Sequence, residues 1–376
     1  MKKVICFLLM LSLFLSVNTK AKDINTLASP SAILLDGNTG KVLFEKEADQ
    51  KLPPASVTKI MTMLLVMEAE GRGEITFDDI VSVSENAAKK EGSHIFLSPG
   101  EQISVRDLMK GVAVASGNDA SIALAEFLAG SHEKFVEKMN QRAKELGMTN
   151  THFINCNGLD AEGHLTTARD IGKMTVELLK HKKIFEFTTI WMDTLRNGTF
   201  GLANTNKLIR FYDGANGMKT GSTSKAGCCI SATALRDSMQ LVAVVMGAPN
   251  SQERFSDAST LLNYGFGGFE NFSLGKSDNV YKYINLNKGI KETVPVSLRN
   301  DVSAVMPKGK SGSITSTENL PEILEAPVKK GQVVGDITYY DGKEQIAKVD
   351  LIAGEDVQRV SFLYAFEKML MDFISL

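Results

Sequence analysis

The chain is 376 residues long and 43% hydrophobic, longer than a usual single domain and with ample apolar content for a packed core, so two domains are expected. Lys and Arg (42) nearly balance Asp and Glu (44) for a net charge of -2, which excludes a global field favouring nucleic acid or an anionic membrane surface. Partners are therefore sought in local features, and nucleic acid is not expected among them.

Met1, Lys2 and Lys3 make a basic start, residues 4–17 are almost wholly apolar, and Thr19-Lys20-Ala21 supplies a small-residue cleavage site, so residues 1–21 read as a secretory signal peptide. The apolar run falls short of the roughly 20 residues that span a bilayer. Cys6 lies inside that run rather than at its end, which disfavours a lipoprotein signal. The protein is thus expected to be exported, to the outer face of the cytoplasmic membrane or the cell wall.

Residues 31–35 and 41–45 are strand-like runs separated by Asp36-Gly37-Asn38-Thr39-Gly40, which is hairpin chemistry. Pro53 and Pro54 lead into Ser56, after which Ile60, Met63, Leu64 and Met67 recur at helical spacing until Gly71 and Gly73. Leu65 and Val66 make that helix apolar on more than one face, as a central helix would be. Residues 84–182 are expected to be mostly helical, with helices over 105–114, 120–128, 133–146 and 167–179, the last capped by Thr167 and Asp170.

Strands return at 228–235 and 241–246 around a polar turn at Arg236-Asp237-Ser238, and 256–264 reads as a closing helix. Strands at both ends with helices between predict an α/β (α+β) domain over 22–267 whose sheet combines early and late strands and is largely antiparallel. Beyond Gly267 short alternating runs at 293–298, 332–339 and 345–351 predict a small all-β domain over 268–355. Residues 356–376 have a helical pattern with Phe362, Phe366, Met369, Leu370 and Phe373 on one face and Ser361, Lys368 and Asp372 opposite. Such an amphipathic helix either packs on its own protein or lies on a membrane, and its terminal, aromatic-rich position favours peripheral membrane contact.

A serine hydroxyl needs a base within hydrogen-bond reach, and no Gly-x-Ser-x-Gly signature of a Ser-His-Asp system occurs. Ser56-Val57-Thr58-Lys59 instead places a hydroxyl and an amine one turn apart at the start of an apolar helix. For Lys59 to accept a proton its pKa must fall far below the ordinary lysine value, which burial and a second cation both achieve. Lys219 supplies that second cation, in Lys219-Thr220-Gly221 beside the strand at 228–235, where Gly221 leaves room for a peptide to lie along the sheet edge. Ser116-Gly117-Asn118 forms a turn able to present a hydroxyl and an amide, although Asn118 is also placed to cap the next helix.

Each short motif recurs by chance. Ser222 with Lys225, Ser277 with Asn279 and Lys310 with Gly312 even repeat the order, but Ser222 sits in a Ser/Thr-rich turn and Lys310 in a Gly/Ser-rich loop, so neither begins a buried helix. The five histidines are scattered without metal-ligand spacing, so neither metal nor cofactor is implied, and Cys156, Cys228 and Cys229 read as small buried hydrophobes without a disulfide framework.

In the order Ser-x-x-Lys, Ser-x-Asn and Lys-Thr-Gly, the chain resembles the serine D-alanyl-D-alanine carboxypeptidases, low-molecular-weight penicillin-binding proteins of β-lactamase-like fold. The resemblance extends to Pro54-Ala55-Ser56, Asn157-Gly158-Leu159-Asp160, Gly217-Met218-Lys219-Thr220-Gly221 and Ala326-Pro327-Val328-Lys329-Lys330-Gly331-Gln332. It implies an acyl-enzyme on Ser56, Lys59 as base, Ser116 as proton relay, Asn118 on the substrate amide, and Lys219 with Thr220 on the terminal carboxylate. The backbone N–H groups of Ser56 and Ser222 would form the oxyanion hole, and Arg254 is either a further carboxylate contact or a solvated surface residue. His164 and Arg169 lie in a segment of the family's pattern, and His164 reads as structural.

The implied partners are peptidoglycan stem peptides ending in D-Ala-D-Ala and β-lactams as covalent inhibitors. A transpeptidase or endopeptidase would share the same acyl-enzyme. A β-lactamase would need a group that activates deacylating water, and no clear Glu-x-x-Leu-Asn is present. A non-catalytic penicillin sensor would need transmembrane segments, and no second apolar span follows the leader.

Overall fold

The computed structural model describes residues 23–309, 314–364, 366 and 371. The expected signal peptide over 1–21, the Lys310 decoy and Lys368, Met369, Leu370, Asp372 and Phe373 of the expected terminal helix lie outside the described residues. The chain forms two compact units, one running to Arg236 and including Gln240–Gly265, the other made of Asp237–Met239 and the chain from Phe266 onward.

The first unit is built on a five-stranded sheet of β1 (Ser31–Asp36), β2 (Val42–Lys46), β7 (Ala215–Thr223), β8 (Gly227–Arg236) and β9 (Met239–Ala248), in the order β2-β1-β9-β8-β7. β1 pairs antiparallel with both β2 and β9, and β7 antiparallel with β8, so early and late strands share one sheet as expected. The turn between β8 and β9 has positive φ at both Asp237 and Ser238, the conformation a tight hairpin requires. β7 has a sheet neighbour on one side alone and is therefore an edge.

Helix α1 (Lys59–Gly71) is the centre of this unit. Ile60, Met61, Met63, Leu64, Val66 and Met67 are all buried, so the helix is apolar around its circumference and packed on every side. The unit also contains α2 (Glu85–Ala88), α3 (Val105–Ala113), α4 (Asn118–Ala129), α5 (His132–Glu145), α6 (Ala168–Leu179) and the short α7 (Phe185–Thr188) and α8 (Leu208–Phe211), while α9 (Ser251–Gly268) lies across the sheet from α6: Gly265 faces Leu34 and Leu241, and Gly172 of α6 faces Ile33 and Leu35. The side chain of Thr167 accepts from the Asp170 N–H and caps α6 as its sequence requires.

The block over 84–182 is less helical than its pattern suggests. Two three-residue strands, β3 (Ile80–Ser82) and β4 (Gln102–Ser104), pair across its start. Between α5 and α6 the chain runs without a helix, because Asn150, Asn155, Asn157, Gly158 and Gly163 favour turns over helical continuation. A second hairpin, β5 (Met192–Leu195) with β6 (Phe200–Ala203), also has no clear alternation in the sequence. The stretch between α5 and α6 contributes to the site described below.

The second unit pairs β10 (Phe269–Gly275) with β13 (Val302–Pro307) and forms a six-stranded sheet. That sheet contains β11 (Val280–Asn287), β12 (Thr293–Leu298), β14 (Ile314–Asn319), β15 (Ile323–Glu325), β16 (Val333–Asp341) and β17 (Glu344–Ala353). Val294, Val296, Leu298, Ile337 and Leu351 fill its core from alternating positions, and β11 pairs with β15 in parallel. The helix expected from residue 356 does not start there. Val357 and Val328 exchange backbone hydrogen bonds and Val360 N–H donates to Lys288 O, which holds this stretch extended until Phe362, where the described helical residues begin.

Candidate active site

Pro54 opens a 3₁₀ turn, Ala55–Thr58, that runs directly into α1. Ser56 therefore sits one turn before the helix proper. In a 3₁₀ turn residues three apart eclipse one another, which aligns Ser56 with Lys59 more closely than an α-helical turn would. Ala55 takes a positive φ of 49°, a conformation that costs an L-residue energy and marks this as an over-determined turn.

The Lys59 amine is wholly buried and has three neighbours: Ser56 Oγ at 3.0 Å, Asn118 Oδ1 at 2.7 Å and the backbone oxygen of Asn157 at 2.7 Å. Two of these are carbonyl oxygens, which only accept. The hydroxyl alone can either give or take a proton. Burial pushes the Lys59 pKa down to about 7, with Cys156 and Asp119 opposing weakly. A neutral amine has two N–H groups and one lone pair, so the carbonyls take both hydrogens and the lone pair is left facing Ser56 Oγ–H.

Ser116, with φ of 63°, and Asn118 lie at the junction of α3 and α4. Gly117, not Asn118, is the N-cap of α4; the Asn118 side chain instead holds Lys59 and donates from Nδ2 to Glu91 O. One Nδ2 hydrogen remains for a further acceptor. Asp119, which the sequence did not single out, is fully buried and accepts from the backbone N–H groups of Ile95 and Leu97 at 3.0–3.1 Å. It straps the 91–97 loop to the turn that carries Ser116 and Asn118.

The loop between α5 and α6 provides groups that no short motif announces. Lys59 and Thr62, on one face of α1, hold the backbone oxygens of Asn157 and Cys156. Asn155 Oδ1 accepts from Gly158 N–H and Asn157 Oδ1 from Leu159 N–H, which fixes the loop's curl. A side chain at Gly158 would place its Cβ 1.9 Å from Ala55 O, so this loop rests on the nucleophile turn itself. His164 is buried, its Nε2 2.9 Å from Thr58 Oγ1, and burial lowers its pKa to about 4. Arg169 is tied to Glu45 and Asp49, away from Lys59.

The third wall is β7. Lys219 is buried and donates to the backbone oxygen of Thr220; burial first, and then the charges of Lys59 and Arg254, hold its pKa well below the lysine range. Thr220 Oγ1 pairs with Thr205 Oγ1 at 2.8 Å. Arg254 is not a solvated surface group: it is buried, donates to the backbone oxygen of Gly221, and its Nε–H has no partner among the described residues. Ser222 is exposed on β7 with its Oγ 3.5 Å from Cys228 Sγ, and that half-buried thiol departs from the expectation that all three cysteines are core. The described cysteines are all free.

Gly221 serves a purpose the sequence only half revealed. A Cβ there would lie 2.6 Å from Ser56 N and 2.9 Å from Val57 N, so the glycine lets the edge strand approach the nucleophile's backbone, besides leaving the edge open. Lys59, Lys219 and Arg254 converge on this place, and among the described residues no carboxylate is ion-paired to any of them. Chemically the arrangement is a hydroxyl facing a desolvated amine, with Lys219 and Arg254 beside it, suited to acyl transfer from a substrate that ends in an anion.

The sequence profile of a family described as D-alanyl-D-alanine carboxypeptidase matches residues 17–250, and one described as penicillin-binding protein 5, C-terminal domain, matches residues 269–359. Bacillus subtilis D-alanyl-D-alanine carboxypeptidase DacF is 41% identical over 346 residues, covering 91% of this chain and 89% of its own. Escherichia coli D-alanyl-D-alanine carboxypeptidase DacC is 39% identical over 371 residues, covering 93% and 90%. The crystal structure of penicillin-binding protein 5 from Haemophilus influenzae superimposes with a TM-score of 0.73 at 33% identity, covering 89% of this chain and 98% of that one.

The contact at Gly221 is testable. A Gly221→Ala variant is expected to lose acylation by a fluorescent penicillin at least tenfold, because the added methyl displaces the Ser56 backbone. Labelling at the wild-type rate would contradict the packing described.

Proposed function

Because the chain belongs to the D-alanyl-D-alanine carboxypeptidase family, peptidase S11, it is a serine hydrolase of the penicillin-binding class, and we propose that Ser56 is its nucleophile with Lys59 as base. The observation that carries this assignment is the Lys59 amine, whose two compulsory acceptors leave only Ser56 Oγ to receive its lone pair. In the acylation step the Ser56 Oγ–H proton passes to Lys59 Nζ as Oγ attacks the carbonyl between two D-alanines. Negative charge on the carbonyl oxygen is met by the N–H groups of Ser56 and Ser222, a reading supported by the close approach of β7 to the Ser56 backbone.

Collapse breaks the C–N bond, and the proton returns from Lys59 through Ser116 Oγ to the leaving amine, releasing D-alanine. Water then hydrolyses the ester, with Lys59 again accepting a proton. The terminal carboxylate is assigned to Lys219, Thr220 and Arg254, which together lack an internal anion. Thr220 Oγ1 donates to Thr205 Oγ1, and binding the carboxylate redirects that hydroxyl from Thr205 to the substrate. The spare Nδ2 hydrogen of Asn118 binds a substrate backbone carbonyl. Gly221 leaves the edge open for the peptide to add as a strand.

These roles fall within residues 22–267, with 268–355 as a small β domain. Export by the 1–21 leader would place the enzyme at the outer face of the cytoplasmic membrane or the cell wall. No described helix is long and apolar enough to cross a membrane. Phe362 and Leu363, 87% and 66% exposed, favour peripheral contact with the bilayer through the terminal segment.

Two experiments follow. Incubation with a peptide ending in Lys-D-Ala-D-Ala is expected to release free D-alanine, and Ser56→Ala to abolish both that release and covalent penicillin labelling; labelling that survives would move the nucleophile elsewhere. Mature protein is expected to co-sediment with lipid vesicles and to lose this on truncation after Val360. Full-length protein that stays in the supernatant would refute the membrane contact.

A further inference from the structure

His164 and Thr58 form a connected pair behind the nucleophile that the reaction scheme does not use. The Nδ1 atom of His164 accepts from the backbone N–H of Ile154 at 2.9 Å, which fixes the proton on Nε2. That Nε2–H lies 2.9 Å from Thr58 Oγ1, and the Thr58 hydroxyl in turn donates to Ala55 O at 2.8 Å. With Nδ1 occupied by Ile154 N–H, Nε2 must donate and the Thr58 hydroxyl must pass its own proton to Ala55 O, beside the backbone bond of the 3₁₀ turn, so one proton arrangement satisfies all three side-chain bonds.

The end of the series matters because of what Ala55 O belongs to. The peptide unit joining Ala55 to Ser56 is planar, so the direction of its C=O sets the direction of its N–H. That N–H is the Ser56 donor assigned above to the oxyanion hole. The unit follows Ala55, whose positive φ is a conformation an L-residue does not favour, and Gly158 packs so closely on the same carbonyl that a Cβ there would lie 1.9 Å from its oxygen. We propose that His164, acting through Thr58, is a positioning residue that aims the Ser56 N–H into the oxyanion hole.

The inference rests on the reading of Ser56 as nucleophile and oxyanion donor. It predicts a specific kinetic pattern, since a misaimed donor weakens the transition state and leaves ground-state binding intact. Removing a whole oxyanion donor costs on the order of a hundredfold to a thousandfold, so a tilted one is expected to cost about tenfold to a hundredfold.

The experiment measures, by stopped-flow with a fluorescent penicillin, the limiting acylation rate and the half-saturating concentration, with the melting temperature of each variant alongside. Thr58→Val removes the hydroxyl at constant shape. His164→Asn keeps an acceptor for Ile154 N–H but offers nothing to Thr58, whereas His164→Gln reaches Thr58 with a side-chain N–H. The expected result is a limiting rate lowered about tenfold to a hundredfold in Thr58→Val and His164→Asn, with half-saturation unchanged. Recovery of most of that loss is expected in His164→Gln, and no further loss in the Thr58→Val/His164→Asn double variant.

A role in packing alone would slow the Asn and Gln variants alike, in step with their melting temperatures, and would overturn the proposal. So would wild-type acylation in Thr58→Val or losses that multiply in the double variant. Should Thr58→Val fail to fold, the Asn and Gln pair carries the same comparison. Ser56→Ala separates the two layers: labelling that persists in it refutes the nucleophile assignment, whereas lost labelling with fully active Thr58→Val refutes the relay alone.

Discussion

Everything in the catalytic unit depends on keeping one amine dry. Lys59 has no exposed surface, and the loss of hydration is what lowers its pKa to about 7. An amine in water at neutral pH would be almost wholly protonated and unable to act as a base. The fold achieves the burial by beginning its most enclosed helix at this residue and closing three separate segments over it. Asn118 arrives from the α3–α4 junction, Asn157 from the irregular loop before α6, and β7 from the sheet edge.

The same burial explains the cations. Lys219 and Arg254 are enclosed without a carboxylate partner, an arrangement that costs stability until an anion enters. Their charges disfavour protonation of each other, and Lys59 and Lys219 repel directly. In the proposed scheme a substrate that brings its own carboxylate satisfies Lys219 and Arg254, while burial favours the neutral Lys59 amine. On that reading, substrate selection and nucleophile activation are two consequences of the same desolvation.

The parts of this site that lie within single elements were legible in the sequence. Ser56 and Lys59 share a turn, Ser116 and Asn118 share a junction, and Lys219 to Gly221 share a strand, so the spacing makes them candidates, and their order and family resemblance separate them from the chance repeats. The central helix announced itself through apolar residues on every face, and the sheet through strand runs at both ends. What spacing could not convey were contacts made by backbone or by residues far apart in the chain. The Asn157 oxygen that holds Lys59 has no side-chain identity to read, and Asp119 looks like an ordinary first-turn acid until its bonds to Ile95 and Leu97 are seen.

Arg254 illustrates the limit from the other side. The residues before it, Ser251, Gln252 and Glu253, are polar, so it resembles a surface residue, yet α9 buries it against the Gly221 backbone of β7. The terminal segment shows how pairing overrides pattern: residues from 356 have helical periodicity, but backbone bonds between Val357 and Val328 hold them extended to the point where Phe362 begins the described helical residues. The relatives and the solved penicillin-binding protein place the chain in one family, and the residue roles proposed within it rest on hydrogen-bond chemistry at Lys59.

The most direct measurement is the protonation of Lys59 itself, followed by NMR of selectively labelled lysine side chains, with Lys59→Arg used to assign the signal. An apo-enzyme midpoint near pH 7 is expected, so that the amine is substantially neutral at physiological pH. A Lys59 signal that remains that of a full ammonium up to pH 9 would contradict it, because the lone pair assigned to Ser56 would not exist.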